Sequence, residues 1–131
     1  MIPTPPPSMD AWLAEAKAHP DAAKCGMYLF HTGVVRSDAK AKVREAATNT
    51  RPVTGMHFSY DAVKLDAVLR EALTLPGIYY VRAWLAEGRL AVGDDIMRVL
   101  IGGDIRPHVI EALQHTVGRI KNECVKETEI Y

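Results

Sequence analysis

"IYYVRAWLAEGRLAVGDDIMRVLIGG", residues 78–103, decides the fold class. Its two ends, "IYYVRAWLAEG" and "DIMRVLIGG", are rich in β-branched and aromatic residues, and "GRLAVGDD" between them offers a short strand and a tight turn. Strands this close in sequence favour antiparallel hairpins, because parallel neighbours need a crossover of a dozen or more residues. The flanks supply helices. From Asp61, the residues Leu65, Val68, Leu69, Ala72 and Leu75 recur at helical spacing until Pro76-Gly77 ends the run. Downstream, Ile105, Val109, Leu113, Val117 and Ile120 form the stripe of a long helix. Asp104 stands near its N-cap, and Pro107 lies in its first turn, where a missing N–H is harmless.

Further outward, "VTGMHFSY" (53–60) reads as a strand, as does "GMYLFHTGVVR" (26–36), with Gly33 as a bulge or close-approach point. Between them "SDAKAKVREAATNTRP" (37–52) has weak periodicity and carries Lys40, Lys42 and Arg44, the pattern of a mobile loop. Near the N-terminus Ser8 or Asp10 can cap a short helix through Ala18, with Trp12, Leu13 and Ala16 as its apolar stripe and Pro20 as its stop. Pro3, Pro5, Pro6 and Pro7 make residues 1–7 a flexible proline-rich tail. The order αββαβββαβ over residues 8–131 describes a single α+β domain with helices packed on a mainly antiparallel sheet.

Composition narrows the partners. A chain of 131 residues with 48% hydrophobic and 24% charged residues is large enough for one core without disulfides or a structural metal. Sixteen basic against sixteen acidic residues leave no overall field to draw it to nucleic acid or an anionic membrane, so any anion site must be local. Cys25 and Cys124 alone cannot build a disulfide framework or a Cys-rich zinc site, and a reducing cytoplasm suits them. The first residues lack the basic and apolar regions of a signal peptide, and no stretch reaches the ~20 apolar residues of a membrane span. Repeats, a P-loop, GxGxxG and HExxH are all missing, so no cofactor is indicated.

Three stretches place cations beside glycines or strand ends. "HTGVVR" ends in Arg36. In "GGDIRPH", Gly102 and Gly103 permit close backbone approach, a helix N-terminus offers unpaired N–H groups, and Arg106 and His108 follow. A glycine turn with a solvated arginine is the competing reading there, and Asp104 competes for any anion. In "IKNECVKETE" (120–129), Lys121 closes the helix, and strand alternation groups Lys126 with Cys124, Thr128 and Ile130. Among such neighbours Lys126 could be partly desolvated and suited to proton transfer, or it could guard a sheet edge. Lys121 could equally favour the helix C-terminus. His108 and His115 lie two helical turns apart, too far for simple chelation, and no metal site is indicated.

Taken in order from Gly26 to Glu129, the "TGVVR" strand end, the helix before Pro76, the "GRLAVGDD" hairpin, the glycine and arginine turn and the final helix ending "IK" resemble the catalytic (large) subunit of molybdopterin synthase. "GRLAVGDD" matches that family's glycine-x-leucine-x-x-glycine-acidic turn, and Lys121 and Lys126 fall near its two active-site lysines. The resemblance implies an α/β-hammerhead-like fold and a cytoplasmic sulfurtransferase of molybdenum cofactor biosynthesis with no cofactor of its own. It also implies a homodimer core in a heterotetramer. A ubiquitin-like small subunit would insert a C-terminal Gly-Gly thiocarboxylate, and its sulfur would pass to cyclic pyranopterin monophosphate to give molybdopterin. Lys121 and Lys126 would then be catalytic, and Arg36, Arg106 and His108 would bind phosphate or the partner's tail. This sequence departs from the family in having Ile105-Arg106 for a His-Arg pair, and "ECVK" for a Pro-aromatic-x-Lys approach about two residues longer. Those departures leave room for a noncatalytic dimeric module that binds a ubiquitin-like partner or a pterin or phosphate ligand.

Overall fold

The computed structural model describes residues 4–38 and 52–131. Helix α1 spans Met9–Lys17, strand β1 Met27–Val34, strand β2 Gly55–Tyr60 and helix α2 Ala62–Ala72. Strands β3, β4 and β5 span Ile78–Leu85, Gly88–Ala91 and Asp95–Gly103, followed by helix α3 (Arg106–Arg119), a π-helical turn (Ile120–Cys124) and strand β6 (Val125–Ile130). The order is the αββαβββαβ expected, and the class is α+β. Most of the loop expected at 37–52, with Lys40, Lys42 and Arg44, lies outside the described residues.

One expectation about connectivity is corrected. The strands form two three-stranded sheets, ordered β1-β5-β3 and β4-β2-β6, and all their pairings are antiparallel. β3 and β5 pair as expected, but β4, lying between them in sequence, leaves for the second sheet and pairs with β2. Glycines make the detour possible: Gly88 and Gly93, at the two ends of β4, have φ of 95° and 94°, a left-handed region that side chains with a Cβ rarely enter.

The first sheet is covered on both faces, which explains why β5 reads as a nearly unbroken apolar run. On one face Met97, Val99 and Ile101 meet Phe58, Val68, Val109 and Ile120. On the other, Leu100 packs with Trp12 and Ala16 of α1, bordered by Tyr28, Phe30 and Tyr80. Each large side chain taken fully out of water contributes about 1.5–3 kcal/mol. Caps follow the sequence: Ser8 Oγ accepts from Ala11 N–H at 3.2 Å, and Asp61 Oδ1 accepts from Val63 and Lys64 N–H at 2.9 and 3.0 Å.

The proline-rich segment is tied down over its described part. Trp84 Nε1 donates to Thr4 Oγ1 at 3.0 Å, and Arg98 donates to the Pro7 carbonyl. A proline has no N–H to give, but its carbonyl still accepts, so the segment serves as an acceptor strap against β3 and β5.

Candidate functional site

Both sheets contribute to one cleft. It is lined by His31, Gly33 and Val34 of β1, Arg36 just beyond, Met56 of β2, Ile96 and Met97 of β5, Lys121 of the π turn, and Glu127 and Glu129 of β6. β1 pairs regularly with β5 as far as Gly33–Met97; the register then slips and Val34 pairs with Asp95. This is the irregularity expected at Gly33. After the slip the chain continues to Arg36, whose Nε donates to the Asp38 carbonyl at 3.1 Å.

Lys121 is placed by the π turn. Ile120 is fully buried and Cys124 nearly so, anchoring the turn at both ends, and the Cys124 carbonyl accepts from Asp61 N–H at 2.8 Å. The residues between them face outward, and Lys121 reaches the cleft. π turns set into α-helices recur at functional sites. Burial pushes the Cys124 thiol up, so it stays a protonated apolar filler.

Lys126 does not share the cleft. Glu127 pairs with Phe58 and Glu129 with Met56, residues whose side chains face the core, whereas Lys126 pairs with Ser59 on the opposite face. The expected grouping of Lys126 with Cys124 fails because Cys124 belongs to the π turn and alternation restarts at Val125. Lys126 is exposed, not desolvated, and lines an open groove with Ser59, Asp61 and Lys64. Of the expected site residues, Arg36 and Lys121 therefore come together and Lys126 stands apart.

Arg106 and His108 lie at the start of α3, outside the cleft. The close approach expected of Gly102 and Gly103 is taken up by the protein itself. A Cβ on Gly102 would come within 2.6 Å of the Tyr28 ring, and one on Gly103 within 2.6 Å of the Gly77 carbonyl. The helix entrance is likewise occupied: Asp104 Oδ1 accepts from Ile105 N–H at 2.6 Å and sits 2.8 Å from His108 Nδ1. The His108 hydrogen bond is the main reason the Asp104 carboxyl lies below the usual carboxylate range. Ile105, expected in the apolar stripe, is the N-cap and half exposed; the buried α3 residues are Val109, Ala112 and Thr116. His108 borders a shallow groove with Leu75, Pro76, Glu111 and His115, and His115 Nε2 is 3.0 Å from Glu71.

Sequence reading missed His31, Met56, Glu127 and Glu129. The signal for His31 was present, since it stands two residues before Gly33 on a strand and therefore shares its face. In the structure His31 Nε2 is buried and has no hydrogen-bond partner among the described residues. Burial first, and the Lys121 charge second, hold its pKa below the ordinary 6.5, which favours the neutral ring at pH 7. The cleft thus joins two cations, two carboxylates and one neutral imidazole. It can take an anion at one side and hydrogen-bond donors at another.

Comparison with known proteins puts this geometry in a family. The fold is similar to a MoaE protein of molybdopterin biosynthesis from Burkholderia ambifaria MC40-6, at 20% identity, TM-score 0.71, and coverage of 97% of this chain and 84% of that one. It is also similar to molybdopterin synthase from Staphylococcus aureus, at 18% identity, TM-score 0.66, covering 82% of this chain and 76% of that one. A third similar structure is a protein–protein complex of subunits 1 and 2 of the molybdopterin-converting factor from Helicobacter pylori 26695, at 16% identity, TM-score 0.66, covering 94% and 80%. Comparison with curated proteins gives no match. Residues 6–123 match the sequence model of the family described as "MoaE protein". That match spans most of the chain, which belongs to the MoaE family and, with it, to molybdenum cofactor biosynthesis.

Proposed function

We propose that this protein is the catalytic subunit of a molybdopterin synthase, passing sulfur from the thiocarboxylated Gly-Gly tail of a ubiquitin-like small subunit to cyclic pyranopterin monophosphate. The observation that carries this reading is the meeting of Arg36 and Lys121, distant in sequence, in one cleft of a MoaE-family fold. In this reading Lys121 offsets the negative charge of the thiocarboxylate and of the transition state, and Arg36 holds phosphate or tail carboxylate in a fork. Glu127 and Glu129 suit the other end of such a substrate, because a pterin ring presents N–H donors that carboxylates accept. Arg106 is kept as a second anion contact, exposed at the start of α3. The small-subunit partner is supported by the Helicobacter complex of two subunits, and the assembly proposed is a homodimer core with one partner on each protomer. Cytoplasmic residence belongs to the same proposal. Among the described residues no helix is long and apolar enough to cross a membrane.

The test mixes the protein with a thiocarboxylated small subunit and cyclic pyranopterin monophosphate, and follows molybdopterin. Product formation that depends on Lys121 is expected; partner binding without product would overturn the catalytic reading. The exposed position of Lys126 favours that second outcome, in which the chain is a binding module of the same fold.

A further inference from the structure

Among the titratable residues that line the cleft, His31 is left unused by the proposed function. Its Nε2 is buried with no hydrogen-bond partner among the described residues, although a buried ring nitrogen left unmatched is destabilising. Burial in the core could explain a stray nitrogen, but this one belongs to a residue that lines a cleft, and Gly33, also in the cleft lining, puts no side chain beside it, where a Cβ would lie 3.9 Å from Nε2. Val99, its partner across β5, is fully buried and apolar and offers no hydrogen bond through its side chain.

We infer that His31 is a ligand-contacting residue of this cleft, its Nε2 hydrogen-bonding the oxyanion that Arg36 and Lys121 attract. The inference rests on the reading of the cleft as the substrate site. It adds a consequence of its own, a linkage between ligand and proton. Burial and Lys121 hold the free ring neutral. An oxyanion between them screens the lysine and favours the imidazolium, so binding takes up a proton and tightens as pH falls from about 7.5 toward 5.5. The charged groups that line the cleft with the ring are Arg36 beyond β1, Lys121 on the π turn, and Glu127 and Glu129 on β6, and of these Lys121 acts on the ring. The two carboxylates are present with and without ligand, so the change on binding comes from the incoming anion.

The experiment follows the His31 ring nitrogens by NMR in the full chain, with two probes added separately: a synthetic peptide ending in a Gly-Gly carboxylate, and inorganic phosphate. Affinities are measured across the same pH range for the unsubstituted protein, His31→Gln and Arg36→Ala. A His31 pKa that rises with either probe, and a three- to tenfold weaker His31→Gln with a flattened pH slope, is the result expected, the responding probe identifying the source of the oxyanion. Binding that Arg36→Ala weakens while the His31 resonances stay still would overturn the His31 role and leave the cleft standing. If neither probe binds the unsubstituted protein, the cleft reading and the His31 role fall together. The resonances of the unsubstituted protein decide the matter even if a variant folds poorly.

Discussion

Two regions of this molecule use the same ingredients, glycine, arginine and histidine, to opposite ends. At the start of α3 the glycine turn and the histidine are already matched inside the protein, and only Arg106 stays exposed: Asp104 N–H donates to the Gly77 carbonyl against which Gly103 packs, Asp104 Oδ1 accepts from Ile105 N–H, and His108 pairs with Asp104. In the cleft, Gly33 leaves space and His31 Nε2 lacks a partner among the described residues. Residue types alone do not separate a structural junction from a binding site. What separates them is whether the polar atoms are already matched.

The contrast is broken or sharpened by experiment, beginning with the largest effect. Lys121→Ala should lower single-turnover sulfur transfer about 100-fold or more, the scale seen when a charge-stabilising donor is removed, while Lys126→Ala on the outer face should stay within about threefold. Equal losses would mean that the outer face of β6 takes part in the chemistry along with the cleft. Next come the glycines. Gly77 has a φ of 74°, and a Cβ there would stand 2.2 Å from Asp104 Oδ1. Gly77→Ala should therefore cost about 2–3 kcal/mol of stability in a denaturant melt. A Cβ at Gly33 would meet Met97 Cγ at 3.4 Å, an ordinary contact, so Gly33→Ala should melt within about 1 kcal/mol of the parent yet bind ligand more weakly.

The smallest effect is in the pH dependence of stability, where the two regions act at different pH. His31 is held below 6.5, so the unfolded chain binds more protons than the folded one in the window beneath that value. Its contribution is fully present above pH 6.5 and fades as pH falls through the window, and His31→Gln should remove this slope. Asp104 is held below its ordinary 3.8, so its contribution is present above that value and is lost as pH falls through the lowered pKa. Asp104→Asn should flatten only this acid limb. Melts from pH 7.5 to 3 resolve the two, and a His31→Gln curve parallel to the parent would sink the first assignment.

Most of the fold was legible because it is written in local patterns. The stripe through Val68 and Ala72, the cap at Ser8, and the bulge at Gly33 all appear where the residues predict them. Two features were not legible. "IKNECV" contains neither glycine nor proline, so nothing local announces that α3 widens into a π turn, and the phase of the following strand was misjudged at Lys126. Nor does any local signal say that β4 pairs with β2 rather than with its sequence neighbours, because the choice depends on which sheet edge is open. The site suffered most. Arg36 and Lys121 stood out by charge and position, whereas Glu127 and Glu129 looked like an ordinary solvated run until the register with Met56 and Phe58 turned them inward.

The detour of β4 also shapes how the molecule is assembled in time. β2, the centre of its sheet, has neighbours from far along the chain: Gly55 pairs with Ala91 on one side and Ile130 on the other. β1 waits similarly for β5, with Met27 opposite Gly103. Such long loops must close before their contacts repay the lost entropy, which places the protein among slow folders of milliseconds to seconds. Because the cleft is walled by β1 and β5 from one sheet and by β2 and β6 from the other, no partly assembled chain contains it. Binding competence should therefore emerge as the last event of refolding, after secondary structure is complete, and a rapid-mixing trace of probe binding would time the joining of the two sheets.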